Sequence, residues 1–257
     1  EAGGQNLLTR VNEVLDFSKI QAGRLEFDST RVNLFECMES SIDLIKYEAE
    51  NKGIVLSYWI DRSAAHAFAG DPQRISQVLV NLLNNAVKFT SEGEVSVEAA
   101  ADSIGGGYRN YRVSVTDTGV GIPEEKKEAI FEAFAQADSS TTRRFGGTGL
   151  GLTISREIAR MMEGDVTFES ELYKGSRFVF EWKAKDASDD EELAFFKHEN
   201  AFAGWVCRLK NLPESTLRNM RRACEVLGIS VEGDETSRAD FQIIEPEGEA
   251  VPGSEDG

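Results

Sequence analysis

Histidine and cysteine are scarce in this chain: two of the first and three of the second. Cys37, Cys207 and Cys224 show no C-x-x-C or metal-type spacing, which argues against a structural metal site and for reduced thiols in a cytoplasmic protein. His66 and His198 stand alone, which argues against a histidine-based metal centre. Long apolar runs are missing too. No stretch approaches the roughly 18–20 residues that a membrane span needs, and there is no signal-peptide pattern. Positive charge is the third deficit, with 28 Lys and Arg against 45 Asp and Glu and a net charge of −17. Such a chain is a poor partner for nucleic acid, whose phosphates call for concentrated cations. It can still hold a single nucleotide at a local site. The chain opens with Glu1 rather than Met, and reads as a piece of a longer protein.

What is present is ordinary globular composition, 40% hydrophobic and 28% charged. The pattern predicts a helix end over residues 5–21, with Leu8, Val11, Leu15 and Ser18 at three- and four-residue steps and Gly23 as stop. One apolar stripe on so short a helix needs a partner helix. A strand is expected over 25–32, a helix over 33–51 capped by Asn33, and a strand over 54–60. Asp71-Pro72 opens a helix running to Phe89, a capping carboxylate followed by proline in the first turn. Strands at 94–101 and 108–117, helices at 124–135 and 149–163, and strands at 166–170 and 176–184 follow. Residues 187–203 read as a linker. Beyond it, a strand at 204–209, a helix at 214–227 and strands at 229–232 and 240–245 precede a tail expected to be disordered.

Three motifs carry the chemistry. Asn81, Asn85 and Lys88 stand at i, i+4 and i+7, on a face of the helix separate from its apolar one. Two amides and an ammonium in one stripe can hold a hydrated cation and a phosphate chain, and an amide oxygen suits Mg²⁺. Asp117-Thr-Gly119-Val-Gly121-Ile122 places a carboxylate at a strand end beside backbone that a ligand can approach, an acceptor suited to an adenine amino group. Gly146-Gly147-Thr148-Gly149-Leu150-Gly151-Leu152 opens a helix, where free N–H groups and the positive end of the helix dipole favour phosphate. Each alone has an ordinary reading as a solvated face or a glycine turn. Between the last two lies a polar stretch, Asp138–Arg144, read as a lid that Phe131 and Phe134 anchor to the core. Its Arg143 and Arg144 could reach a terminal phosphate, or simply lie in solvent.

In this order the motifs resemble the GHKL superfamily (gyrase, heat-shock-90-type chaperones, histidine kinases and mismatch-repair proteins), and most closely the hybrid sensor histidine kinases. Asn81-Leu-Leu-Asn-Asn85-Ala-Val-Lys88-Phe89-Thr is similar to that family's asparagine box. Asp117-Thr-Gly-Val-Gly121 is similar to its first glycine box, Phe131-Glu-Ala-Phe134 to its phenylalanine box, and Gly147-Thr-Gly-Leu-Gly151 to its second glycine box. The resemblance runs from about Leu7 to Lys185. It implies an α/β sandwich of the GHKL (Bergerat) type, a mixed sheet backed by helices, in residues 25–186. It implies ATP and Mg²⁺ as cofactors, with Asn85 as metal ligand and Asp117 on adenine. Lys88 and the second glycine box fall to the phosphates, and Asn81, Lys88 and Arg144 to the catalytic group. Phe89, Gly119, Gly121, Ile122, Arg143, Thr148, Gly149 and Leu150 complete the expected binding residues.

The superfamily's hydrolases resemble one another in carrying Glu where this chain has Asn81. An amide cannot take a proton from water. The resemblance therefore points to phosphoryl transfer onto a histidine, for two-component signalling, rather than to hydrolysis; a nucleotide-binding module without transfer is the alternative. Residues 1–24 resemble the end of the second helix of a dimerisation and phosphotransfer domain, which implies that domain, in a homodimeric parent, as partner, and a receiver domain or response regulator downstream. The His-box helix is expected upstream, and neither His66 nor His198 has its context. Residues 204–257 are faintly similar to the opening of a receiver, a small βαβ unit. Lys210 and Asn211 stand where receivers carry acids, and Glu245 stands at the phosphoacceptor. Arg208, Arg218, Arg221 and Arg222 could dock on an acidic surface or take an anionic ligand, and an unrelated βαβ extension stays open.

Overall fold

The computed structural model describes residues 2–134, 148–187, 206–210, 214–233 and 240–244. The lid stretch with Arg143 and Arg144, Gly147 of the second glycine box, the linker from residue 188, His198, Asn211 and Glu245 lie outside these. The chain divides into two units, Glu1–Glu192 and Leu193–Gly257.

In the first unit, helix α1 (Ala2–Gln21) leads to β1 (Thr30–Val32), α2 (Leu34–Lys52), β2 (Val55–Ile60) and β3 (Phe68–Gly70). Then come α3 (Pro72–Phe89), the hairpin β4 (Glu94–Gly105) and β5 (Tyr108–Asp117), α4 (Gly151–Met161), β6 (Asp165–Glu171) and β7 (Gly175–Asp186). The sheet runs β1-β3-β7-β5-β4-β2, with β3 pairing β7 only at Lys185 and Asp186 and β6 pairing the opposite end of that strand, from Gly175 to Glu181. It is mixed: β2 and β4 are parallel and the other pairs antiparallel. Alternation along β7 buries Phe178, Phe180, Trp182 and Ala184 while Arg177, Val179, Glu181 and Lys183 turn to the other side. On the buried face Tyr111 stacks on Trp182 at 5.4 Å. The helices supply the facing layer: Met38, Ile42 and Ile45 of α2, Val78, Leu79 and Leu82 of α3, and Ile154 and Ile158 of α4 are all buried. The other face is polar, and Arg112 there bridges Asp102 and Glu181.

Local chemistry sets the helix ends. Asn33 caps α2 by accepting from Phe35 N at 3.0 Å, and Gly53 closes it at φ +69°. Asp71 caps α3 through Arg74 N at 3.0 Å, with Pro72 in the first turn. The other oxygen of Asp71 takes Asp28 N at 3.1 Å. That bond explains one departure from expectation. Residues 25–32 form a strand only at Thr30–Val32, because the preceding chain is tied to the α3 cap instead of to a neighbouring strand.

The expected helix over 124–135 is a second correction. Only Glu124–Lys126 form a single 3-10 turn. Successive turns follow, and Phe134 has φ +64°, a left-handed value that cannot continue a helix. Backbone groups there are taken elsewhere: Phe131 O accepts from Thr153 Oγ1 at 2.9 Å and Phe134 N donates to Gly149 O at 3.1 Å. Strand β3 and the 3-10 turn Arg62–Ala64 were not anticipated from the sequence, being too short to show any period.

The second unit holds β8 (Val206–Lys210), α5 (Glu214–Leu227), β9 (Ser230–Gly233) and β10 (Asp240–Ile244). Cys224 and Ile229 are buried with Leu217, Met220 and Leu227 packed on them. Strands β8 and β9 are parallel, a βαβ unit, but β10 runs antiparallel to β8. Receivers are doubly wound parallel sheets, so the third strand departs from that pattern. A parallel return needs a crossover of a dozen residues or more, and only residues 234–239 separate β9 from β10.

No helix among the described residues is long and apolar enough to cross a membrane.

Candidate nucleotide site

Helix α3 joins the three motifs. Near its middle, Asn81 Nδ2 donates to Ser155 Oγ of α4 at 2.8 Å, and Asn81 Oδ1 lies so close to Gly151 that a Cβ there would sit 2.3 Å away. At its C-terminus, Phe89 O accepts from Val120 N at 3.2 Å, and a Cβ on Gly119 would stand 2.4 Å from that same oxygen. One helix therefore touches the second glycine box through Asn81 and the first through Phe89. Asn85 and Lys88 lie between these contacts, both half-buried. The end of α3 is held from outside: Lys52 of α2 donates to Val87 O at 2.7 Å and Lys88 O at 3.3 Å, a cation on the negative end of the helix dipole.

Asp117 ends β5 almost fully buried, 6% exposed. Burial pushes its carboxyl above the ordinary carboxylate range, while N–H groups of Gly119, at 2.8 Å, and of Ser176 pull it back. Only glycine fits at 119, between Phe89 O and the Asp117 carboxylate, and at 121, where φ is +67° and a Cβ would meet Glu171 O at 2.1 Å. Ile122 N donates to Ser170 Oγ at 2.8 Å, and Tyr173 N to Val120 O at 2.8 Å, so the first glycine box is laced to the β6–β7 turn. Lys88 has its ammonium 5.0 Å from the centroid of the exposed Phe89 ring. Burial lowers its pKa, and Glu48 offsets part of that.

In the second glycine box, Gly149 has φ +72° and Leu150 is fully buried. Thr148 Oγ1 accepts from Leu150 N at 3.2 Å and donates to Glu13 Oε2 of α1 at 2.5 Å. Phe131 and Phe134 part company: Phe131 packs on Phe168 and under Arg156, whereas Phe134 meets Phe17 of α1 at 6.1 Å. Arg143, Arg144 and Gly147 cannot be placed, since they lie outside the described residues.

Three residues escaped the reading of the sequence. Ser155 follows Gly151 by one helical turn, so the i, i+4 rule puts both on the face toward Asn81; that signal was available. Nothing local marks Ser170 or Glu13, whose partners are 48 and 135 residues away.

Residues 70–186 match the family described as histidine kinase-, DNA gyrase B-, and HSP90-like ATPase. The signal transduction histidine-protein kinase BarA of Escherichia coli (strain K12) is 38% identical over 180 residues, 70% of this chain and 20% of that protein. The catalytic domain of histidine kinase ThkA is 32% identical, with a TM-score of 0.51 over 63% of this chain and 99% of that one. Full-length ShkA in complex with AMPPNP superimposes with a TM-score of 0.75 at 30% identity, over 91% of this chain and 46% of that one. This chain belongs to that family and carries the catalytic ATP-binding domain of the histidine kinases of two-component systems. It spans about a fifth of the length of the curated relatives it matches.

Proposed function

We propose that the chain binds Mg-ATP along α3 and supports transfer of the γ-phosphoryl group to a histidine on a phosphotransfer helix of its parent homodimer. The observation that carries this reading is the double contact of α3, with Gly151 beside Asn81 and Gly119 beside Phe89. A ligand lying along the helix between them would meet Asp117 at one end and the amides of the second glycine box at the other. Asp117 accepts from the adenine amino group. Lys88, with Gly147, Thr148, Gly149 and Leu150, takes the phosphates, and Arg143 and Arg144 face the terminal one. Gly119, Gly121, Ile122 and Phe89 shape the adenine end.

The donor set fits Mg²⁺ held mainly by its substrate. Among the described residues no group of three or more His, Cys, Asp or Glu could cage a metal ion, and Asn85 offers one amide oxygen. Mg²⁺ keeps several waters and is commonly bound by one or two protein groups plus phosphate oxygens. When bound it offsets phosphate charge as a Lewis acid. Phosphoryl transfer needs positioning and charge stabilisation more than a base. Asn81 suits this role and not hydrolysis, because its amide donates to Ser155 and cannot deprotonate water.

His66 is no acceptor in this scheme. It precedes β3, where Ala67 O meets Ala187 N beside the Gly107 turn, while Asp117 ends the other side of β5. Ten residues of strand at about 3.4 Å each separate the two ends. The exposed Val11, Val14 and Leu15 of α1 are the surface for a partner helix. The second unit, with Lys210 in place of an acid, serves as a regulatory element that docks on an acidic surface or takes an anionic ligand, and it accepts no phosphate.

The test supplies a separate phosphotransfer domain together with γ-labelled ATP and this chain. Acid-labile label on the supplied histidine is expected, with none on His66 or His198. Label on either of those, or ATP binding without any transfer, overturns the proposal.

A further inference from the structure

We infer that Glu13 of α1 competes with the nucleotide's phosphates for the second glycine box, so that the docked helix weakens the binding of phosphorylated nucleotides. The inference rests on the proposed phosphate role of that box.

Residues 13, 16 and 17 lie on one face of α1. All three engage the catalytic unit. Asp16 accepts from Arg74 at 3.1 Å and Gln77 at 2.8 Å, both on α3. Phe17 meets Phe134 edge-on. Glu13 accepts from the Thr148 hydroxyl at 2.5 Å. On the opposite face Val11, Val14 and Leu15 stay exposed.

The third contact reaches into the phosphate end of the site. Thr148 has one hydroxyl proton, and it is committed to Glu13. Its oxygen accepts from Leu150 N, an amide immediately ahead of α4. Glu13 thereby holds Thr148 in the pose that occupies Leu150 N–H. Phosphate entering the box needs that amide, so it must displace the threonine oxygen. It must do so beside a carboxylate, whose charge opposes the incoming one at short range. The Glu13 carboxylate accepts from the Thr148 hydroxyl and the Thr148 oxygen accepts from the Leu150 amide, so both donors are occupied before an anionic ligand arrives. Asp16 does not share this property, because its partners Arg74 and Gln77 lie on α3 away from the box.

The competition is with charge, so it discriminates among ligands that share one base. Adenosine makes the Asp117 contact and carries no phosphate; ADP makes both. Calorimetry on the whole chain, for the parent and Glu13→Gln, compares the two. The amide keeps the shape and a weaker hydrogen bond while removing the charge. ADP affinity is expected to rise about tenfold, or about 1.4 kcal/mol, with adenosine unchanged. Glu13→Asp keeps the charge, and its ADP affinity should stay within about twofold of the parent. Unchanged or weaker ADP binding in Glu13→Gln, with the parent still binding ADP, overturns the inference. So does an equal gain for adenosine, which would make Glu13 a steric block. Failure of the underlying site looks different: the parent would not bind ADP, or Asp117→Ala would bind it equally well.

Discussion

Replacing Gly151 with Ala tests the contact between α3 and α4 directly. The new Cβ would stand 2.3 Å from Asn81 Oδ1 and 3.0 Å from its Cγ, where ordinary contact begins at 3.4 Å. The obstacle is a side chain and not backbone, so Asn81 can turn away while the helices keep their places. Turning breaks the 2.8 Å bond to the buried Ser155 hydroxyl, a loss of about 0.5–1.5 kcal/mol. Against it, Ala gains up to about 1 kcal/mol over Gly in a helix, less here because Gly151 is the first helical residue. The two nearly cancel. Net stability should therefore move by no more than about 1 kcal/mol.

Nucleotide affinity has no such compensation. The displaced amide leaves the stripe that it shares with Asn85 and Lys88, and ADP binding should weaken roughly fivefold or more, about 1 kcal/mol. Thermal melts and calorimetry on the parent, Gly151→Ala, Asn81→Ala and the double variant separate the terms. With Ala at 81 the clash is gone, so Gly151→Ala in that background should be neutral or stabilising. A loss above about 3 kcal/mol, or the same cost in both backgrounds, would refute Asn81 as the neighbour that yields.

Further outcomes follow from the same geometry. The folded pKa of Asp117 is raised above the free value of 3.8, so the fold binds the proton more tightly and stability falls as pH rises through that window; Asp117→Asn should melt above the parent at pH 7, the difference fading below pH 3.8. Asp117→Ala should cost ADP affinity about 1–3 kcal/mol, and an equal Kd would sink the proposed orientation. Asp165 shifts the other way, its pKa lowered by the paired Arg156 at 2.8 Å. The stability it contributes is present above the free value and disappears as pH falls through the lower, folded one; both groups are partly exposed, so Asp165→Asn should cost less than about 1 kcal/mol at pH 7 by denaturant melt. Asn85→Ala should abolish transfer to a supplied phosphotransfer domain while leaving the melting temperature within a few degrees, and a variant that unfolds instead would make Asn85 structural.

How much the sequence revealed depended on how local each signal was. Asp71-Pro72 announced α3 because a cap and a first-turn proline act within four residues, and the apolar spacing from Ile75 to Val87 fixed its buried face. The hairpin β4–β5 was legible in its alternation and its run of glycines at 105–107; β5 has the expected bounds, and only β4 extends further, to Gly105. The stretch 124–134 misled because its charged and apolar residues mimic a helical period, while the forces that shape it come from Thr153 and Gly149, far along the chain. Strand β10 was legible as a strand, but its direction depends on the six residues before it and not on its own residues.

The site obeys the same division. Residue types at Asn85, Lys88 and Asp117 are readable as chemistry, yet what makes them one site is where α3 is clamped. Asp71 binds the chain before β1 at one end of the helix, and Lys52 takes two carbonyls at the other. Both clamps use groups outside the three motifs. They leave the middle of the helix to Asn81, whose partner on α4 fixes the gap that the proposed phosphate chain would enter. A helix held at both ends cannot slide to relieve a misfit at its centre. Lys52→Met should therefore disturb the site from a distance: the C-terminal turn loosens beside Phe89 and Gly119, and ADP and adenosine affinities both fall by about 1 kcal/mol. A loss for ADP with adenosine binding unchanged would show that the clamp acts on the phosphate end of the site and not on the adenine end.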